Sequence, residues 1–119
     1  MTRDHAFLDY VLEQLAFVRG LHARAMFGGH GLYQDATIFA IIADDMLYLK
    51  VNDATRAEFE TEGLRPFSYV ARGKTMTMNY YETRAEAFED ADAMRLWVGK
   101  ALAAALAAPA AKPKRTRRS

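Results

Sequence analysis

Three histidines, two serines and no cysteine are the residues from which this 119-residue chain could build a reactive centre. Nucleophilic catalysis needs a hydroxyl or thiolate held beside a base. Ser68 stands between Phe67 and Tyr69 in a strand-like run, without the glycine-flanked elbow of a hydrolase serine, and Ser119 is the last residue. The lack of cysteine removes thiolate catalysis, disulfides, cysteine-ligated zinc and iron–sulfur clusters together, and it fits a reducing compartment. His5, His22 and His30 form no i, i+4 pair of the kind that ligates zinc on a helix. His22 and His30 approach only if the first two strands bring them together, with Asp35 near, and their spacing argues against a metal. Asp44-Asp45 reads as a solvated turn, and Glu58, Glu60 and Glu62 as the wet face of a short helix. These residues assign no catalytic role and no cofactor. The chain is expected to work by binding.

The residues that suit binding are of three kinds. Arg24, Lys50 and Arg72 lie in or beside strand-like segments. They form either an outward basic patch or, as the favoured expectation, cross-strand ion pairs with neighbouring acids. Tyr33, Tyr48, Tyr69, Tyr80 and Tyr81, with Phe27, Phe39 and Phe67, make an aromatic-rich sheet that is mostly core, and any ring left exposed on one face argues for a partner surface. Lys112, Lys114, Arg115, Arg117 and Arg118 put five cations into the last eight residues. Without them the chain has eleven basic against fifteen acidic residues, so an acidic body carries a basic tail. Such a tail either neutralises phosphates in a salt-sensitive, sequence-blind way or simply solubilises the terminus.

These residues are positioned by a regular series of elements. Phe7, Val11, Leu15 and Val18 give a helical stripe over residues 3–18, with Thr2 as cap and Gly20 at the exit. Residues 24–27 and 31–34 read as strands joined by Gly28-Gly29-His30. The continuously apolar run at 38–43 reads as a strand covered on both faces. Residues 46–51 alternate, with Leu47, Leu49 and Val51 on one face. A helix over 54–62 is capped by Asp53 and stopped by Gly63 and Pro66, and a hairpin over 67–72 and 75–81 turns at Gly73. Thr83-Arg84-Ala85-Glu86 matches a capping box, and a longer helix starts near Asp90 with an alanine-rich half that frays or projects. Hairpin-length connections imply an α+β fold: a mostly antiparallel sheet packed on one face by helices, in one domain over 1–108, with a disordered tail over 109–119. No signal sequence is visible. The alanine-rich run at 101–111 falls short of the roughly 20 apolar residues of a membrane span, so no membrane partner and a cytoplasmic location are expected.

Arg24-Ala25-Met26-Phe27-Gly28-Gly29-His30-Gly31-Leu32-Tyr33 is the most distinctive stretch. Its glycines suit a sharp turn between strands. It is neither a phosphate loop nor a dinucleotide fingerprint, because no Gly-Lys-Ser/Thr and no helix follow. With Leu47-Tyr48-Leu49-Lys50-Val51, Pro66-Phe67-Ser68-Tyr69 and Met76-Thr77-Met78-Asn79-Tyr80-Tyr81, it resembles the N-terminal domain of the TfoX/Sxy family over roughly residues 15–101. On that resemblance Arg24, Met26, Phe27, Gly28, Gly29, Gly31, Tyr33 and Lys50 are the family-motif residues. It implies a secretion-chaperone-like order of helix, three strands, helix, two strands, helix, often dimeric. It also implies a coactivator role in competence, with a transcription regulator as protein partner. Where full-length competence regulators continue into a helical domain, this sequence reads Ala/Pro and basic residues. The expected function is therefore a non-enzymatic, competence-regulator-like binding domain whose tail contacts DNA or RNA. The alternatives are a chaperone-like or adaptor module without a nucleic-acid role, and a small-molecule-binding domain.

Overall fold

A computed structural model describes residues 6–26 and 28–107. Thr2, His5, Phe27 and the basic tail from Lys112 to Arg118 lie outside the described residues. So does the expected boundary at 108/109.

Helix α1 (Ala6–Gln14) is shorter than its apolar stripe. Leu15 and Val18 are still buried, because tight turns (Leu15 N–H to Val11 O, Val18 N–H to Leu15 O) carry the stripe on after the helix ends. Gly20, at φ 74°, turns the chain into the sheet. There follow β1 (Leu21–Met26), β2 (Gly29–Gln34), β3 (Thr37–Ala43) and β4 (Met46–Lys50), then α2 (Asp53–Thr61), β5 (Pro66–Ala71) and β6 (Lys74–Glu82). A 3₁₀ turn over Ala85–Phe88 leads into α3 (Ala91–Ala107). The strands form one antiparallel sheet in the order β1-β2-β3-β4-β6-β5. This is the expected α+β architecture. Four strands rather than three precede α2, as the residue pattern indicates.

Two hairpins close with both turn residues left-handed, Asp44-Asp45 at φ 52° and 58° and Arg72-Gly73 at φ 54° and 77°. That geometry matches the right-handed twist of the strands it joins. A bulge on β3 leaves Phe39 as the extra residue opposite the Leu32–Tyr33 step of β2, where the register shifts.

Three expectations need correction. The cap of α2 is Asn52, not Asp53: its Oδ1 accepts from Thr55 N–H while Thr55 Oγ1 accepts from Asn52 N–H, a reciprocal box. The Thr83–Glu86 motif forms no capping box. Thr83 Oγ1 donates instead to the Leu47 carbonyl, and Arg84 precedes the 3₁₀ turn without a side-chain cap. The alanine-rich half of α3 neither projects nor frays up to Ala107. Ala101 and Ala104 are buried, because small side chains let the helix lie close to the sheet.

The main core lies between helices and sheet. Val11, Leu15, Phe59, Met94, Trp97 and Val98 pack on Leu32, Phe39, Leu47, Leu49 and Tyr81. A second cluster, of strand residues alone, forms on the other side: Ile41, Phe67 and Tyr80, with Ile38, Ala43, Tyr48, Tyr69 and Met78 packed against them. Among the described residues no helix is long and apolar enough to cross a membrane.

Candidate functional site: the open face of the sheet

The second cluster contains no helical residue, so it and its surroundings form a sheet face with no described helix packed on that cluster. Alternation sends Leu47 and Leu49 to the helices and Tyr48 and Lys50 to this open face. The register then sets residues of this face opposite one another, with His22 opposite Tyr33 and Tyr33 opposite Ile38 at one edge, and Lys50 opposite Tyr80 further across.

On this face the rings and cations are stacked. His22 and Tyr33 lie parallel, centroids 5.5 Å apart at 10°. His22 Nδ1 lies 3.1 Å from the Gly20 carbonyl, which orients the ring when that nitrogen carries the proton. The Arg24 guanidinium sits 5.6 Å from the Tyr33 centroid and Lys50 Nζ 5.1 Å from that of Tyr80. Burial pushes the Tyr80 hydroxyl up to about 12, with the nearby Tyr33 adding to the shift, and burial lowers Lys50 from the ordinary lysine range. Towards the β5 edge Tyr48, Phe67 and Tyr69 form a second run of rings, with centroids 5.1 Å and 6.1 Å apart in turn.

The motif glycines serve this face in different ways. Gly28, at φ 77°, turns the first hairpin, which closes on the pair Met26–Gly29. A Cβ on Gly29 would stand 2.0 Å from the Ile42 carbonyl oxygen, so the main chain itself demands glycine there. A Cβ on Gly31 would meet Met26 Sδ at 2.5 Å, Ile38 Cδ1 at 2.9 Å and Tyr33 Cε1 at 3.3 Å. Gly31 is thus the floor on which three open-face side chains converge.

Among the described residues, the expected ion pairs of Arg24, Lys50 and Arg72 do not form. Arg24 and Lys50 stack on tyrosines, because strands β1 to β5 contain no acid to pair with. Arg72 sits apart from them in the β5–β6 turn. His22 and His30 are not brought together: His22 pairs with Tyr33 on the open face, whereas His30 pairs with Ala25, three register positions away. Among the described residues no three His, Asp or Glu side chains cluster closely enough to hold a metal. Ser68 is an exposed strand residue beside a hollow of about 230 Å³, where Arg65 and Glu82 pair with one another at 3.1 Å. The sequence reading missed the His22–Tyr33 stack. Its one signal was that two rings face each other when the first hairpin is written out in register.

Residues 13–105 match the family described as the TfoX N-terminal domain. The chain belongs to that family. Outside the family match, the chain is similar to the DNA transformation protein TfoX1 of Aliivibrio fischeri (strain ATCC 700601 / ES114), 35% identical over 66 residues. That match covers 56% of this chain and 31% of the relative, so it spans about a third of that protein's length. The open face therefore belongs to a TfoX N-terminal domain, and most of the motif that suggested the family builds it. Arg24, Met26, Tyr33 and Lys50 are its side chains, and Gly31 its floor.

Proposed function

We propose that this chain is a regulatory protein of the DNA-transformation type that works by binding, with a transcription regulator as protein partner and the basic tail on nucleic acid. The observation that carries this reading is the open sheet face of a TfoX N-terminal domain, where family-motif side chains are held in order and no described helix packs on the second cluster. Binding surfaces of that kind are rich in aromatic residues and arginine. The protein partner meets the β5–β6 hairpin, whose Val70 and Met76 are 72% and 44% exposed. The tail cations Lys112, Lys114, Arg115, Arg117 and Arg118 bind phosphates.

Fluorescence anisotropy with duplex DNA across a salt series tests the tail, comparing the chain with a variant in which those five residues are glutamine. The wild-type chain is expected to give a log–log salt slope of about −4.5, as five phosphate contacts predict, and the variant to lose that binding. Equal binding by the two overturns the assignment. For the protein partner, a nuclease-treated pull-down should recover one polypeptide with the wild-type chain and lose it with Met76→Glu, since Met76 lies opposite Tyr69 on the open face.

A second reading, an adaptor without any nucleic-acid role, is favoured by the apolar exposure of that hairpin and by the acidic helical side. It predicts the same pull-down together with no DNA binding at low salt.

A further inference from the structure

Charge and chemistry are segregated between the two sides of this molecule. Strands β1 to β5 contain no aspartate or glutamate, and β6 contains only Glu82, which is paired with Arg65. The acids of the regular elements stand on the helical side: Asp9 and Glu13 in α1, Asp53, Glu58 and Glu60 in α2, and Asp92 in α3. Of the turn acids, Asp35 follows β2 with its carboxylate against Gly20, and Asp44 and Asp45 stand at the β3–β4 tip. The open face thus offers Arg24 and Lys50 with no unpaired carboxylate on its own strands, whereas most acids of the helices stand on the opposite side, some of them paired with Arg56 and Lys100.

The same face offers planes. His22 is exposed on the edge strand and already lies parallel to Tyr33. The outer surface of its ring therefore continues a stack that the protein has begun. Cations beside aromatic planes on an open sheet match the two needs of an unpaired nucleotide, a phosphate partner and a π-face for the base. A duplex cannot use the planes, because its bases are stacked on one another. An acidic peptide would use the cations and leave the rings unused.

We infer that the open sheet face is a binding platform for single-stranded nucleic acid, with a base stacking on the outer surface of His22, which Tyr33 backs, and phosphates held by Arg24 and Lys50. This rests on the reading of that face as the binding surface. It is independent of the tail, which contacts phosphates of any nucleic acid.

The test uses the full-length chain, with the five tail cations replaced by glutamine so that the face is read alone. The probes are fluorescein-labelled oligo(dT) twelve nucleotides long, a duplex of equal length, and an unlabelled glutamate-rich peptide as competitor. The tail-neutral chain is expected to bind the single strand at least tenfold more tightly than the duplex. Adding R24Q and K50Q should weaken single-strand binding and reduce the magnitude of its salt slope by about 1.4, the share of two phosphate contacts. Adding H22A should weaken it by about 5- to 150-fold, the range for losing one base stack. His22 and Arg24 are exposed on an edge strand, so an unchanged Tm shows that these variants remain folded. The inference is overturned if single strand and duplex bind alike, if R24Q/K50Q and H22A bind like the parent, or if the peptide displaces the oligonucleotide at equal charge, which would assign the face to acidic peptides. Loss of all binding on neutralising the tail also overturns it, while leaving the tail's own role standing.

Discussion

A methyl group added at Gly28 meets nothing within 4 Å, whereas at Gly29 it falls on the Ile42 carbonyl oxygen. The two neighbours look equivalent in the sequence, but they are glycine for different reasons. At Gly28 the requirement is the positive φ of 77°, which costs a side-chain-bearing residue about 1–2 kcal/mol. At Gly29 the obstacle is the main chain of the neighbouring strand β3, and it cannot rotate away as a side chain would. Gly29→Ala should therefore destabilise by at least about 2 kcal/mol, more than Gly28→Ala, because relieving the contact means moving a strand rather than a rotamer. Urea denaturation of the two variants measures the difference. Gly31→Ala belongs between them in kind, since it meets the flexible Met26 side chain first. Its effect should fall on the open face more than on stability.

At the scale of elements, much of the fold is legible because period and punctuation coincide. Leu47, Leu49 and Val51 alternate onto the core, Asp44-Asp45 turns a hairpin, and Gly63 takes φ 76° after α2. What was not legible turns on competition between adjacent candidates. Asn52 and Asp53 are both good caps, and only Asn52 has the backbone to use, with φ −114° and ψ −174° leaving its side chain over Thr55 N–H. Asn52→Ala should cost about 1 kcal/mol in thermal or urea unfolding. Asp53→Ala should cost a few tenths, since it loses one exposed pair with Arg56. The alanine run of α3 misleads for a similar reason. Alanine carries no hydrophobic stripe strong enough to mark a packed face, although closeness to the sheet is what makes Ala101 core. Ala101→Leu should destabilise by about 1–3 kcal/mol through overpacking, where a frayed segment would tolerate or welcome the larger side chain. The Tm of that variant decides between the two.

The candidate face is a property of the whole molecule, which is why the sequence yielded its parts and not the arrangement. His22, Arg24, Tyr33, Lys50 and Tyr80 come from four strands, and only the antiparallel pairing of the sheet brings them onto one face. A second cluster on the far side of a sheet also changes how the protein responds to alkali. Burial raises the hydroxyl pKa of Tyr80 to about 12, and burial also raises Tyr48 and Tyr81, the latter with its hydroxyl bonded to Glu60. A tyrosine raised in the folded state contributes stability that is complete below its unfolded pKa of about 10 and is lost as pH climbs through its folded value. For Tyr80 that window runs from about 10 to about 12. Lys50 acts in the opposite sense: its lowered pKa leaves a penalty at neutral pH that is relieved as pH approaches the unfolded lysine value of about 10.5. Three tyrosines against one lysine make the net slope downward, so urea midpoints should fall steadily from pH 10 to pH 12. In Tyr80→Phe that fall should be shallower, and the tyrosinate absorbance that develops last in the folded protein should be missing. The same fall in the variant as in the parent, with the late absorbance intact, would show that Tyr80 holds its proton no more tightly on the open face than it does in water.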